Sequence, residues 1–470
     1  MADPFLLEHL LRPLFFDIGG ALSPVSIRDQ MIRGRIAVDR AIEEGLLGPG
    51  RPLLAIGAGA GGATAAIRAA QRGIETWLID AAPAAFMRQA ACTSRFVDPT
   101  QYDWPLLHWR EGSYPWEPPI MPLGWQRDYA SQLAFHWQRT LATAQTLYAP
   151  RLRVEYQVSV SIESQPVDGL LPVTLSSPQL GEILTGFGMV LSCVGFGAER
   201  VVMGDYASTR FWDSDFLGHQ DLGLPRVAMP RVLVSGGGDG ALQDCLRILT
   251  RGSEIRSAGE LYAAVTGQLR FHEEIETLER RLQGAEDQAQ RALIWGARPE
   301  HDHPIYQRLH RSHEEAIASL SDRLWGFICS VLEGLIVSTQ LELLYSCDHF
   351  SASYALNRFL VLLLARYLRE NHGQEFLRPG LAVTAVTPGV TAPRHRCARS
   401  AADCYRHPHR VAITGGACPN GLPAKRTALD HAEYDLVILR HGVTPPTLVL
   451  AGSNEPAPRR RQLLPYHVPG

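Results

Sequence analysis

The run "LLAIGAGAGGATAAIRAAQRGIETWLID" sets Gly57, Gly59 and Gly62 in the spacing GxGxxG, with Gly61 beside the last, and ends at Asp80, eighteen residues past Gly62. Residues of these types in this pattern can grip a diphosphate. Gly57 permits a tight turn, Gly59 lets a pyrophosphate approach the backbone, and Gly62 lets a helix lie close to a strand. The helix mouth then offers N–H groups to the phosphates, and the Asp80 carboxylate can accept bonds from a ribose diol. A glycine-rich turn without a ligand is the alternative reading. A second run, "RVLVSGGGDGALQDCLRIL", repeats the pattern with Gly236, Gly238 and Ala241.

These glycines need a strand before them and a helix after. Leu53–Ile56 has the apolar residues of a short buried strand, a helix is expected over about 61–72, Gly73 stops it, and "IETWLID" supplies the next strand. Residues 1–47 have helical spacing and are expected to be helices packed on the body. "RLRVEYQVSV" (151–160) predicts a further strand, and 171–197 a β-meander ending in a buried strand and a turn at Gly195.

After the second glycine run the chain should deliver another strand, but 254–335 has the pattern of charged amphipathic helix. The strand arrives late, at "QLELLYSCDHF" (340–350), with a helix in "YALNRFLVLLLARYLREN" behind it. "LAVTAV" (381–386), "RVAIT" (410–414) and "YDLVILRHG" (434–442) supply later strands. We therefore expect 254–338 to be a helical insertion between the first helix and second strand of one nucleotide-type unit, since loop insertions cost little closure entropy. Ser346, Cys347, Asp348 and His349 then stand at the ribose-selecting end of that strand, with no arginine to grip a 2′-phosphate. Asp348 suits NADH there; a turn-forming role is the alternative.

With 470 residues, 46% hydrophobic and 20% charged, two or three globular domains fit. A net charge of −3 argues against nucleic acid. Eight cysteines without a CxxC pair, and no secretory leader, point to a reducing cytoplasm. The longest apolar runs, 324–337 and 359–368, are a glutamate-bearing helix and one too short to span a membrane.

The order of parts resembles the two-dinucleotide-binding-domain flavoproteins, which include flavin monooxygenases and pyridine-nucleotide disulfide reductases. "VLSCVGFG", with Gly195, takes the place of the Ala-Thr-Gly-like turn of that superfamily. The resemblance implies FAD at the first glycine site and, at the second, NADH or NADPH. The fold class it implies is α/β: a Rossmann-like FAD domain with a second Rossmann-like nucleotide domain carrying the helical insertion. The expected divisions are an N-terminal helical segment (1–50), the FAD domain (51–229), the second domain (230–443) and a tail returning to the FAD domain (444–470). Departures are visible. "FLGHQDL" begins an FxGxxxH pattern at Phe216 and Gly218, but Leu222 stands where the histidine belongs. "YDLVILRHG" puts Arg440 and His441 where small residues are usual, and "TLVLAGS" offers Ser453 where an aspartate would meet the ribityl chain.

Two further clusters invite chemistry. Tyr102, Trp104, His108 and Trp109 could line a flat-ligand pocket or simply cover the core. His395, Cys397, Cys404, His407, His409 and Cys418 include zinc-ligand types, but without closely spaced pairs, and no metal is expected. The leading expectation is an FAD-dependent oxidoreductase, a monooxygenase included, acting on a small organic molecule, with no catalytic acid or base identified. The alternative is a non-catalytic dinucleotide-binding sensor. Either way the insertion offers a surface for a protein partner or a second copy.

Overall fold

Short apolar runs bounded by glycine or proline become strands of two parallel sheets, and the long amphipathic runs become helices. The computed structural model describes residues 3–19, 22–23, 26–105, 121–124, 127–224, 229–295, 304–337, 339–389, 408–416, 432–444 and 460–461. The described residues form two compact units. One comprises 3–93, 121–198 and 443–461; the other comprises 94–105 and 199–442. Against the borders expected from sequence, 94–105, 199–224 and 229 fold with the second unit, and the described part of the N-terminal segment folds into the first.

In the first unit the elements are β1 (Phe15–Asp17), α1 (Ile27–Glu43), β2 (Leu53–Ile56), α2 (Ala60–Gln71), β3 (Thr76–Asp80) and α3 (Ala130–Leu147). They continue with β4 (Leu152–Tyr156), β5 (Ser159–Ile162), β6 (Leu171–Ser177), β7 (Gly181–Phe187) and β8 (Met189–Ser192). The sheet order is β1-β8-β2-β3-β4, all parallel. A short strand, Leu10–Arg12, pairs antiparallel with β1 at the edge. The expectation of helices alone over 1–47 is thus corrected. Phe15 and Phe16 are too few for a buried helix face, yet they fill a strand slot beside β8.

β5, β6 and β7 form the antiparallel meander. Its Val173, Leu175 and Phe187 meet Phe15, Leu54, Ile79 and Val190 of the sheet in one core. α1 starts at a reciprocal cap, the Asp29 N–H donating to Ser26 Oγ (3.0 Å) and the Ser26 N–H donating to Asp29 Oδ2 (3.0 Å).

The second unit contains β9 (Arg231–Ser235), α4 (Asp239–Leu249), α5 (Ala258–Thr266), α6 (His272–Trp295), α7 (Pro304–Ala318) and α8 (Asp322–Leu335). Then come β10 (Gln340–Tyr345), α9 (Ala355–His372), β11 (Leu377–Pro379), β12 (Leu381–Pro388), β13 (His409–Gly415), β14 (Ala432–Tyr434) and β15 (Leu436–Leu439). The order β11-β10-β9-β15 is wholly parallel, and β12, β13 and β14 form an antiparallel sheet. Four helices, α5 to α8, stand between α4 and β10. β10 lies within 340–350, and α5 to α8 lie within 254–338. α9 is buried on every side over Ala355–Ala365 because it packs on α4, α5 and α7 at once. The two longest apolar runs are α8 and α9, and among the described residues no helix is long and apolar enough to cross a membrane.

Candidate functional site

The C-terminal edge of the first sheet brings four turns together. β2 runs into Gly57, whose φ of +106° lies in the region glycine favours. A Cβ there would stand 2.5 Å from Cys193 O, at the end of β8. At Gly62 a Cβ would stand 1.9 Å from Gly57 O, so α2 lies against the strand only because that side chain is absent. Gly59 is different. It is the N-cap of α2, with no capping side chain, and a Cβ there meets nothing within 4 Å. The first intrahelical bond runs from Ala63 N–H to Gly59 O (2.9 Å), so the N–H groups ahead of it face out of the helix end. The first turn of α2 carries no acid. This is a bare, positively polarised crease shaped for an anion.

Asp80 closes one side. Its Oδ2 accepts from Ala58 N–H (2.6 Å) and its Oδ1 from Ala82 N–H (2.7 Å). Each oxygen keeps a second lone pair for a ribose hydroxyl. Gly195 (φ +85°) turns the chain after β8. Gly61 serves packing: a Cβ on it would crowd Gln30 O at 3.1 Å, while one on Gly34 of α1 would come 2.4 Å from Gly61 O. Burial first, and then the Asp17 carboxylate, push the Cys193 thiol well above its usual range, so it is a neutral packing group here.

Sequence reasoning missed Asp17 and Gly19, which join this edge. Asp17 Oδ1 accepts from Gly19 N–H (3.0 Å), and a Cβ on Gly19 would lie 3.2 Å from Gly195 O. Their signal was "FFDIGG", apolar pair, acid and glycine pair, the same strand-and-turn form as the first crease.

The second crease repeats the backbone. Gly236 has φ +143°, and a Cβ on it would stand 2.2 Å from Arg440 O at the end of β15, as Gly57 stands to Cys193. Gly442 (φ +80°) answers Gly195. Ala241 is fully buried where Gly62 has its counterpart. The surroundings differ. Ser351 N–H donates to Gly237 O (2.9 Å), and Ser351 Oγ lies 3.5 Å from a Cβ on Gly238. Asp239, in the first turn of α4, accepts from Tyr354 N–H and Asn357 Nδ2, both at 2.9 Å.

Asp348 stands past the end of β10 and is half exposed. It holds His349 Nδ1 (2.6 Å) and accepts from Gln307 Nε2 of α7 (2.6 Å). Burial works to raise its carboxyl, but these hydrogen bonds prevail and hold it low.

Arg440 faces inward. Its Nε donates to Asp244 of α4 (2.8 Å), which also takes Arg95 Nη2 (2.8 Å), while Asp215 takes Arg247 (2.7 Å). Despite burial, the neighbouring guanidiniums hold both carboxyls below their usual range. His441 Nε2 meets Ser235 Oγ (2.9 Å). Trp104 is 2% exposed among Tyr262, Phe359 and His313, and Tyr102 lies against Tyr354. The core-covering alternative therefore holds for these two. His108, Trp109, His395, Cys397, Cys404, His407, Cys418 and Ser453 lie outside the described residues; His409 opens β13. Among the described residues no cluster of three or more His, Cys, Asp or Glu side chains could hold a metal ion.

The described residues thus hold two parallel βαβ units in tandem, each with an antiparallel companion sheet. No protein-family model matches the chain, and no curated protein matches it. Solved structures that resemble it include the bacillithiol disulfide reductase Bdr of Staphylococcus aureus, at 12% identity over 84% of this chain and 77% of that one, TM-score 0.40. Thioredoxin reductase of T. acidophilum gives 13%, 85%, 80% and 0.36, and L-lysine 6-monooxygenase of Pseudomonas syringae gives 12%, 85%, 82% and 0.36.

Proposed function

We propose that the first unit binds FAD and that the protein is an FAD-dependent oxidoreductase acting on a small organic molecule, with monooxygenation as the candidate chemistry. One observation carries the binding claim. The crease at Gly59 is open where a side chain would fill it, at an uncapped helix mouth, while its neighbours Gly57 and Gly62 are closed by contact. The residues present fit a dinucleotide. Gly59 and the α2 mouth would hold the diphosphate, Asp80 the adenosine ribose, and Asp17, Gly19 and Gly195 border the same edge. Bound there, FAD supplies two-electron redox chemistry, while the protein contributes position and exclusion of water. The choice of FAD rests on the order of parts, with "VLSCVGFG" leading into the second unit. NADH at the second crease, through Gly236, Gly238, Ala241 and Asp348, belongs to the same proposal; residues 340–350 hold no arginine for NADPH.

A second reading, a dinucleotide-binding sensor without catalysis, is favoured by Leu222. It occupies the histidine position of the monooxygenase pattern and is 4% exposed.

The test is colour. Purified protein should absorb near about 450 nm as a flavoprotein does, and Gly59→Trp, whose Cβ enters open space, should abolish flavin retention. Colourless protein after reconstitution with FAD, or a Gly59→Trp variant of unchanged flavin content, would remove the assignment. Bleaching by NADH in the absence of oxygen favours the oxidoreductase; yellow protein that neither nicotinamide nor substrate reduces favours the sensor.

A further inference from the structure

Two histidines of α7 sit where an apolar side chain would pack at lower cost. His313 is fully buried and His310 nearly so. His313 Nδ1 bonds Leu309 O (2.8 Å), which makes Nδ1 the protonated nitrogen of a neutral ring. Its Nε2 is buried with no hydrogen-bond partner among the described residues. His310 Nδ1 accepts, at 3.5 Å, from Phe350 N–H, and its ring meets the Phe350 ring edge-on at 4.8 Å. A packing role alone does not require ring nitrogens in such a place, since each buried polar atom costs free energy to desolvate.

The charged groups around them come from every neighbouring element. α9 presents Arg358, whose Nη1 is 3.3 Å from Glu286 Oε1 of α6. Glu286 Oε1 is 4.0 Å from His313 Nε2. Glu314 of α7 is 3.7 Å from His310 Nε2, and the loop after β10 brings Asp348 and His349. That same loop lines the second glycine crease. Phe350 is followed by Ser351, whose N–H donates to Gly237 O and whose carbonyl accepts from Arg358 Nη2 (3.3 Å).

We infer that His310 and His313 form a neutral-histidine latch joining the inserted helices to the loop of the second crease, and that acid opens it. Protonation would put new positive charge beside Arg358 in a buried site where, among the described residues, Glu286 is the carboxylate near His313 and is already paired with Arg358. Burial first, then Arg358, depress both imidazoles to about 3. A base whose folded value is lowered stabilises the closed form above the unfolded value, near 6.5, and loses that contribution as pH falls below it. At about pH 5.5 each histidine then multiplies the opening equilibrium about tenfold, and the pair about a hundredfold.

Amide hydrogen exchange on the full chain tests this, corrected for intrinsic rates, at about pH 7.5 and about pH 5.5. Peptides covering 304–318 and 346–358 should lose protection by about a hundredfold at the lower pH, while those of β2 and α2 in the first unit keep theirs. His310→Phe or His313→Phe should each reduce the loss to about tenfold. Equal protection at the two pH values overturns the latch. So does a loss shared evenly by both units, or one that neither variant reduces. Should the variants fail to fold, the imidazole ring protons of the wild-type chain decide. Two rings still neutral at about pH 5 support the latch, and all rings titrating near the free value of about 6.5 overturn it.

Discussion

One substitution, glycine to serine, should have opposite effects at two positions three residues apart. At Gly62 the added Cβ would stand 1.9 Å from Gly57 O. Ordinary contact begins near 3.4 Å, so α2 would have to retreat from β2 by more than an ångström. It has nowhere to go. On its far side Gly61 already abuts Gln30 and Gly34 of α1, and Ala60 to Ala70 of α2 are buried except Arg68. Overpacking against so close a wall costs about 1–3 kcal/mol, at the upper end where backbone meets backbone.

Gly59→Ser meets no such wall. Its Cβ has nothing within 4 Å, and φ −81°, ψ −175° is an extended conformation that serine adopts readily. Serine is the better N-cap by a few tenths of a kcal/mol, so the protein should be as stable as before or slightly more so. Its hydroxyl, however, would accept from the helix N–H groups that a diphosphate needs. Losing one charge-assisted bond of about 1.5–3 kcal/mol weakens dinucleotide binding by about ten- to a hundredfold. Urea unfolding gives the stability arm through a shift of midpoint at unchanged slope, and flavin released per mole of protein gives the binding arm. A Gly62→Ser protein of wild-type midpoint would refute the close approach of α2 to β2. A Gly59→Ser protein with a lowered midpoint, or with undiminished FAD affinity, would refute the open crease.

Two other substitutions probe the frames around the creases. Asp80→Ala removes acceptors for Ala58 and Ala82 N–H; it should cost about 1–3 kcal/mol of stability in urea and lower FAD affinity together. Asp244→Asn leaves Arg95, Arg247 and Arg440 with Asp215 as the remaining carboxylate of the group. It should destabilise the second unit by about 3–5 kcal/mol, and a smaller effect than Asp39→Ala, where a more exposed carboxylate meets Arg68 (2.9 Å) and Arg72 (2.8 Å), would sink the network argument.

Much of this architecture was legible because period and punctuation agreed. Leu53–Ile56, Gly57 and the alanine-rich α2 form a strand, a breaker and a helix, and each conforms to its own local chemistry. The helical insertion was legible from what failed to appear after α4, and "QLELLY" supplied the delayed strand. β1 was not legible, since a three-residue strand carries too little period to stand out beside α1. Its partner β8, which decides its conformation, lies some 170 residues away. The same holds for Trp104. A dense aromatic run gives no sign of which unit will claim it, and here the claim comes from Tyr262 and Phe359.

The two creases show what a glycine pattern specifies and where it stops. Gly57 and Gly236 each press against the last carbonyl of a neighbouring strand system, Cys193 O and Arg440 O. A matched pair of positive φ angles follows, at Gly195 and Gly442. So the pattern dictates backbone, twice over. What the backbone can then receive is set by residues the pattern does not mention. The first turn of α2 is without acid and that of α4 begins with Asp239; the space at Gly59 is open, and Ser351 stands near Gly238. Two creases of one shape therefore differ in electrostatics and room, and what each can receive depends on Asp80, Asp239 and Ser351 rather than on the glycines they share.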